Sequence, residues 1–121
     1  MSEPETQSET ARWRIDRFDV PAGARAAVIQ RLGLIHAELG RLAGCLINRV
    51  VERKPVPDRS EILTLVAWRD EAALLAARRH MQRIHAETGF DAARFLAGHG
   101  VSMTPGDYRD VIPARDPDPA P

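Results

Sequence analysis

Cysteine, lysine and aromatic residues are all scarce in this chain of 121 residues, and each shortage removes a class of protein. Cys45 stands alone, which excludes an internal disulfide framework and a cysteine-rich zinc site; its apolar neighbours suit an inert buried thiol. Nearly every basic residue is arginine, a bias that fits anion binding by guanidinium forks and fits genome base composition equally well. Aromatics make up only 5 % of the chain, and no dense basic stripe interleaves with them, so a nucleic-acid partner is not expected. Apolar runs such as 62–68 fall far short of the roughly 20 residues that cross a bilayer. No basic-then-apolar leader opens the chain, so the expected location is the cytoplasm, with no membrane partner. A glycine-rich phosphate loop and a nucleophile elbow with serine, histidine and aspartate are both missing, which sets aside nucleotide-binding and hydrolase readings. No internal repeat is visible.

What is present reads as one α+β domain of order β-α-β-β-α-β, with an extra short helix near its end. The length suits a single core, and formal charge is balanced at 17 basic against 17 acidic residues. Residues 1–11 form a polar, acidic stretch with too little apolar surface to offset its ordering entropy, and are expected to be a loose tail. Residues 113–121 alternate proline, alanine and aspartate and should be a second, extended tail. Between them, residues 12–112 form the domain.

The first strand is expected over 12–20, with Trp13 and Ile15 on one side and Phe18 and Val20 on the other; a bulge or burial on both sides would explain the change of parity. Val28, Leu32, Ile35 and Leu39 then recur at helical spacing, and Gly40 and Gly44 mark the end of that helix. A second strand over 45–53 and a third over 61–68 flank a connection containing Pro55 and Pro57. Asp70 is placed to cap a long helix closed by Gly89, and Asp91 to cap a short one over 92–97. Residues 101–111, around Pro105 and Gly106, read as an irregular last strand.

Side chains alternate along a strand, so Ile62, Val66 and Trp68 point one way while Leu63, Leu65 and Ala67 point the other. In the second strand Cys45, Ile47 and Val51 oppose Leu46 and Val50. Both faces of the sheet are therefore apolar, whereas two long helices cover only one. A contiguous apolar face of that size is rarely left in water, so a homodimer joined through the sheet faces is expected.

Few residues suggest chemistry on their own. His80 and His85 lie about 140° apart around a helix and cannot share a metal, and no metal site is expected. His36 and His99 read as surface residues, and Arg78, Arg79 and Arg83 as a solvated face. Asn48 is a polar residue in an apolar strand and must find a hydrogen-bond partner, either in a pocket or at an edge. Tyr108 is a phenol suited to a pocket or an interface.

Several segments resemble the antibiotic biosynthesis monooxygenase family, within the dimeric α+β barrel group of ferredoxin-like folds. They are 14–18 with Val20 and Pro21, 42–46, 65–68 followed by 70–74, and 85–91, all in the family's order and spacing. The resemblance implies an oxygenase that needs no cofactor and acts on a small aromatic or quinone-type molecule. It places Trp68 at the tryptophan that ends the third strand, where the indole N–H meets a substrate oxygen. It also places Thr64 and Leu74 where the polyketide-oxidising members carry an asparagine and a tyrosine, so those two polar groups are missing here. A second branch of the same fold binds and degrades haem through an asparagine, the same tryptophan and an axial histidine, and Asp16, Trp68 and His85 stand at similar places. The alternative reading is thus a haem-binding or small-molecule-binding dimer without turnover. The catalytic candidates are Trp68, Asn48 and His85, with Asp16, Thr64, Leu74, Met81 and Tyr108 lining the pocket.

Overall fold

The computed structural model describes residues 10–54 and 56–112. The expectations for the two tails fall outside those residues, except at the end of the first. Thr10 donates its hydroxyl to the Arg69 carbonyl at 2.9 Å, and Ala11 is only 3 % exposed. Both residues are therefore tied to the domain.

The first strand, β1 (Arg12–Pro21), is followed by a 3-10 turn at Ala22–Ala24 and a helix, α1 (Arg25–Leu39). Then come β2 (Cys45–Glu52), β3 (Arg59–Trp68), α2 (Glu71–Thr88), α3 (Ala92–Gly98), β4 (Ser102–Thr104) and β5 (Asp107–Tyr108). The sheet is antiparallel in the order β2-β3-β1-β4, with β5 also on β1. The expected last strand is thus two short pieces, broken where Pro105 and Gly106 intervene and Ile15 donates its N–H to the Gly106 carbonyl. This is the ferredoxin-like α+β architecture. Among the described residues no helix is long and apolar enough to cross a membrane.

Caps set the helix ends. The Asp70 carboxylate accepts from the Ala73 N–H at 2.8 Å and starts α2; Gly89 ends it in the left-handed region at φ 71°. The Asp91 carboxylate likewise accepts from the Arg94 N–H at 3.0 Å and starts α3. Between α1 and β2 the backbone turns at Gly44, where φ is +84° and a Cβ would sit 2.6 Å from that of Ala73. Only glycine allows α2 to approach the turn so closely.

β1 and β3 pair without interruption from Arg12 opposite Trp68 to Pro21 opposite Arg59. The parity change along β1 is therefore not a bulge. Phe18 and Val20 lie under the helices, whereas Trp13 and Ile15 lie on the other face, beside Ala67 and Leu65. The bulge is in β2, between Cys45 and Ile47. It corrects the expected facing of Cys45, which stands opposite Trp68 and packs with Leu39 and Leu42 on the helix side.

All three helices lie over one face. There Val20, Val28 and Ile62 are at most 1 % exposed, and truncating Ile62 to alanine would cost about 2–5 kcal/mol. The opposite face carries Trp13, Ile15, Leu63 and Leu65, all half-buried, with Ile47 and Val51 at about 40 % exposure. Ion pairs of Arg17 and Arg53 with Glu61 lie at its rim. The uncovered face is apolar at its centre, as alternation along β3 predicts.

Candidate active site

The core under the helices is split. One cluster joins Phe18, Val20, Val28, Leu32 and Ile62, and the other joins Val66, Trp68, Ala73, Leu74 and Ala77. Between them the covered face of the sheet turns polar: Arg14 and Asp16 on β1, and Thr64 on β3 directly opposite Asp16. Polar side chains there cannot draw the helices down onto the sheet, and a cavity of about 450 Å³ remains between the sheet and α1, α2 and α3. That size and its largely apolar wall suit a small organic ligand.

Six of the predicted residues line this space: Asp16, Thr64, Trp68, Leu74, Met81 and His85. Trp68 is 2 % exposed, and its indole N–H meets no acceptor among the described residues. Asp16 accepts from Arg14 Nε at 2.7 Å, leaving its second oxygen without a protein donor. His85 turns an edge to the ring of Phe90 at 5.2 Å, and its Nε2 is buried without a hydrogen bond.

Two predicted residues lie outside the cavity. Asn48 is on the covered face, but its side-chain N–H donates to the His36 carbonyl at 2.6 Å and its Oδ1 lies 2.5 Å from His36 Nδ1. Both ends of the amide are thereby engaged in tying β2 to α1, which corrects its assignment as a catalytic donor. Tyr108 is 55 % exposed at the sheet edge and does not reach the cavity. In both cases the partner or its absence depends on a segment distant in sequence.

The histidines and arginines differ more widely from expectation. His36 lines the cavity, half-buried, instead of lying on the surface. His80 bonds Glu38 across the two long helices at 2.7 Å, and the His99 ring packs at a tilt against Phe95 with centroids 4.4 Å apart. Three arginines, Arg14, Arg31 and Arg78, line the cavity. Arg78 is exposed, as expected together with Arg79 and Arg83, and its guanidinium also donates to Asp107 at 3.1 Å, while Arg14 approaches the same carboxylate at 3.6 Å. Arg31 lies with Cζ 3.3 Å from the centre of the Phe90 ring, and its Nε is buried without a partner. One signal for Arg31 existed in the sequence, since it follows Val28 by three residues and precedes Ile35 by four, on the apolar side of its helix.

Chemically, the arrangement offers an apolar slot with an N–H at the Trp68 end and two nitrogens lacking partners near Phe90. Such a slot holds a planar ring and meets oxygens at its periphery, where charge on oxygen is stabilised by fixed donors. Among the described residues no three histidine, cysteine, aspartate or glutamate side chains converge as metal ligands.

The family model for antibiotic biosynthesis monooxygenases matches residues 14–89. Among solved structures, a variant of SnoaB, a cofactor-independent oxygenase from Streptomyces nogalater, is similar with a TM-score of 0.65 at 17 % identity, over 88 % of this chain and 99 % of that one. A dimeric ferredoxin-like protein from an uncultured marine organism gives a TM-score of 0.66 at 11 % identity, over 87 % and 99 %. At such identities the likeness is one of fold. No curated protein matches the sequence.

Proposed function

Because the chain belongs to the antibiotic biosynthesis monooxygenase family, we propose that it is a cytoplasmic, homodimeric oxygenase that works without a cofactor on a small phenolic or quinone-type molecule. The observation that carries this reading is the indole N–H of Trp68, which lacks a protein acceptor although the residue is only 2 % exposed at the wall of an apolar cavity. A second copy of the chain covers the open face of the sheet, where Trp13, Ile47 and Leu65 would otherwise remain in water.

In this reading the phenol gives its proton to His85 Nε2, and Trp68 donates to an oxygen at the other end of the ring system, onto which the phenolate charge is delocalised. The electron-rich ring passes one electron to dioxygen, and the two radicals combine to form a carbon–oxygen bond. Cleavage of the peroxide O–O bond leaves one oxygen on carbon as a carbonyl and releases the other as water, which carries the two hydrogens lost by the substrate. A ring system seated between the sheet and the helices displaces water from the N–H, which then acts at lower dielectric, where one such donor commonly contributes about 10²-fold in rate.

Oxygen uptake over a panel of anthrones and hydroquinones tests the proposal. We expect turnover of at least one panel member, reduced about 10²-fold by Trp68→Phe. Equal rates in the two proteins would reject the role of the indole.

The unpartnered Nε2 of His85 also favours a second reading, a haem binder in which that nitrogen would hold the iron. Haem would then supply the oxygen chemistry and this chain the pocket. A haemin titration without a Soret shift, or with the same shift in His85→Ala, removes it.

A further inference from the structure

We propose that the substrate is an acid, an aromatic ring system bearing a carboxylate that Arg31 holds at the Phe90 end of the cavity. The inference rests on the reading of the cavity as an aromatic-ligand site and names the class of ligand.

The charges lining the cavity are unequal: three guanidiniums, of Arg14, Arg31 and Arg78, against the one carboxylate of Asp16. Two of the three are answered, Arg14 by Asp16 at 2.7 Å and Arg78 by Asp107 at 3.1 Å. Arg31 meets no carboxylate among the described residues. A cation in a largely apolar wall without a counter-ion favours whatever anion can enter.

Geometry narrows the anion. The Arg31 guanidinium lies over the Phe90 ring, so that ring fixes its position and little side-chain freedom remains to be lost on binding. Its Nε is shielded from water and unbonded, and that edge of a guanidinium is the one that pairs with a carboxylate through two parallel hydrogen bonds. The other buried side-chain nitrogen without a partner among the described residues is His85 Nε2, whose ring also packs on Phe90. Two unsatisfied nitrogens around one phenylalanine suit a ligand that carries an acid and an ionisable hydroxyl on neighbouring carbons. Arg31 takes the acid and His85 the hydroxyl proton.

The position agrees with the division of the core. Phe90 contacts Phe95, which packs on the cluster of Phe18 and Ile62, whereas Trp68 belongs to the other cluster. An acid at Phe90 therefore aligns the long axis of the ring system toward Trp68.

Calorimetric titration of an ortho-hydroxynaphthoate and the matching hydroxynaphthamide, which differ chiefly in charge, tests the assignment. In the unaltered protein the acid is expected to bind about tenfold tighter or better. Arg31→Gln should bring the acid down to the level of the amide without weakening the amide, and Arg31→Lys should recover part of the difference. Equal affinities in the unaltered protein, or a parallel loss of both ligands in Arg31→Gln, overturn the acid specificity and leave the aromatic-ligand reading standing. Failure of both ligands to bind at millimolar concentration would sink the two together. The comparison in the unaltered protein holds whether or not the variants fold.

Discussion

The Asn48 side chain is bound at both ends by His36: its amide donates to the backbone carbonyl at 2.6 Å and its carbonyl oxygen lies 2.5 Å from the imidazole Nδ1. One residue of β2 thus bonds two polar groups of α1, the His36 imidazole and a carbonyl that also accepts from the Gly40 N–H at 3.0 Å. Replacing Asn48 by alanine leaves the His36 imidazole without this partner and the carbonyl with the Gly40 N–H alone, and the expected cost is about 1 kcal/mol in urea denaturation. Oxygen uptake or ligand affinity per folded molecule should be unchanged. A loss of turnover at unaltered stability would return Asn48 to the catalytic set.

The uncovered sheet face makes an equally direct prediction. Leu65 lies at its centre, with Ile15 beside it on β1 and Arg49 beside it on β2. A carboxylate there would lose its hydration in a face-to-face dimer, a cost that pairing with Arg49 offsets only in part, yet would stay solvated in a free protomer. Sedimentation of the unaltered protein should give twice the 13.4 kDa of one chain. Leu65→Asp should raise the dissociation constant at least about 100-fold while circular dichroism stays unchanged. A single-chain mass for the unaltered protein at micromolar concentration would remove the dimer.

Local patterns carried most of the fold. The period-two alternation of β3, the spacing of Val28, Leu32, Ile35 and Leu39, and the capping residues Asp70, Gly89 and Asp91 each act within a few residues of themselves, so they are readable from the chain alone. The cavity was legible where the same alternation applies: Thr64 and Trp68 share the covered face of β3, and Leu74, Met81 and His85 share one side of α2. What escaped depends on distant partners. Asn48 was on the correct face, but its commitment to His36 is a contact between β2 and α1. Charge on a helix usually means solvent, whereas at Arg31 the Phe90 ring, 59 residues later, covers the guanidinium. The bulge between Cys45 and Ile47 leaves no mark in the sequence that alternation can detect.

Two glycines should respond in opposite directions. Gly44 holds φ at +84°, and a Cβ there would meet Ala73 at 2.6 Å, so Gly44→Ala combines backbone strain with a clash against α2. A loss of more than about 1 kcal/mol is expected. Gly33 lies inside α1 with nothing within 4 Å of an added Cβ, and alanine there should stabilise by about 0.5–1 kcal/mol by limiting the unfolded chain. Thermal melts of the two variants check both signs, and a stabilised Gly44→Ala would contradict the turn geometry described above.

Acid sensitivity should be concentrated at Glu52. Its carboxylate accepts from Arg25 Nε at 2.7 Å and Nη2 at 2.9 Å, and from the hydroxyl of buried Ser60. The hydrogen bond from Arg25, then that from Ser60, hold its pKa down to about 2 from an ordinary 4.5. Because the folded value lies below the unfolded one, the unfolded chain binds more protons in between, and stability falls as pH drops from about 4.5 toward 2. Above that window the contribution is fully present. The side chains are 23 % and 49 % exposed, so salt should weaken the effect. Glu52→Gln should therefore be less stable than the unaltered protein at pH 7, with the two urea midpoints converging as pH approaches 2. Parallel midpoints throughout that range would show that the pair with Arg25 and Ser60 contributes nothing to acid stability.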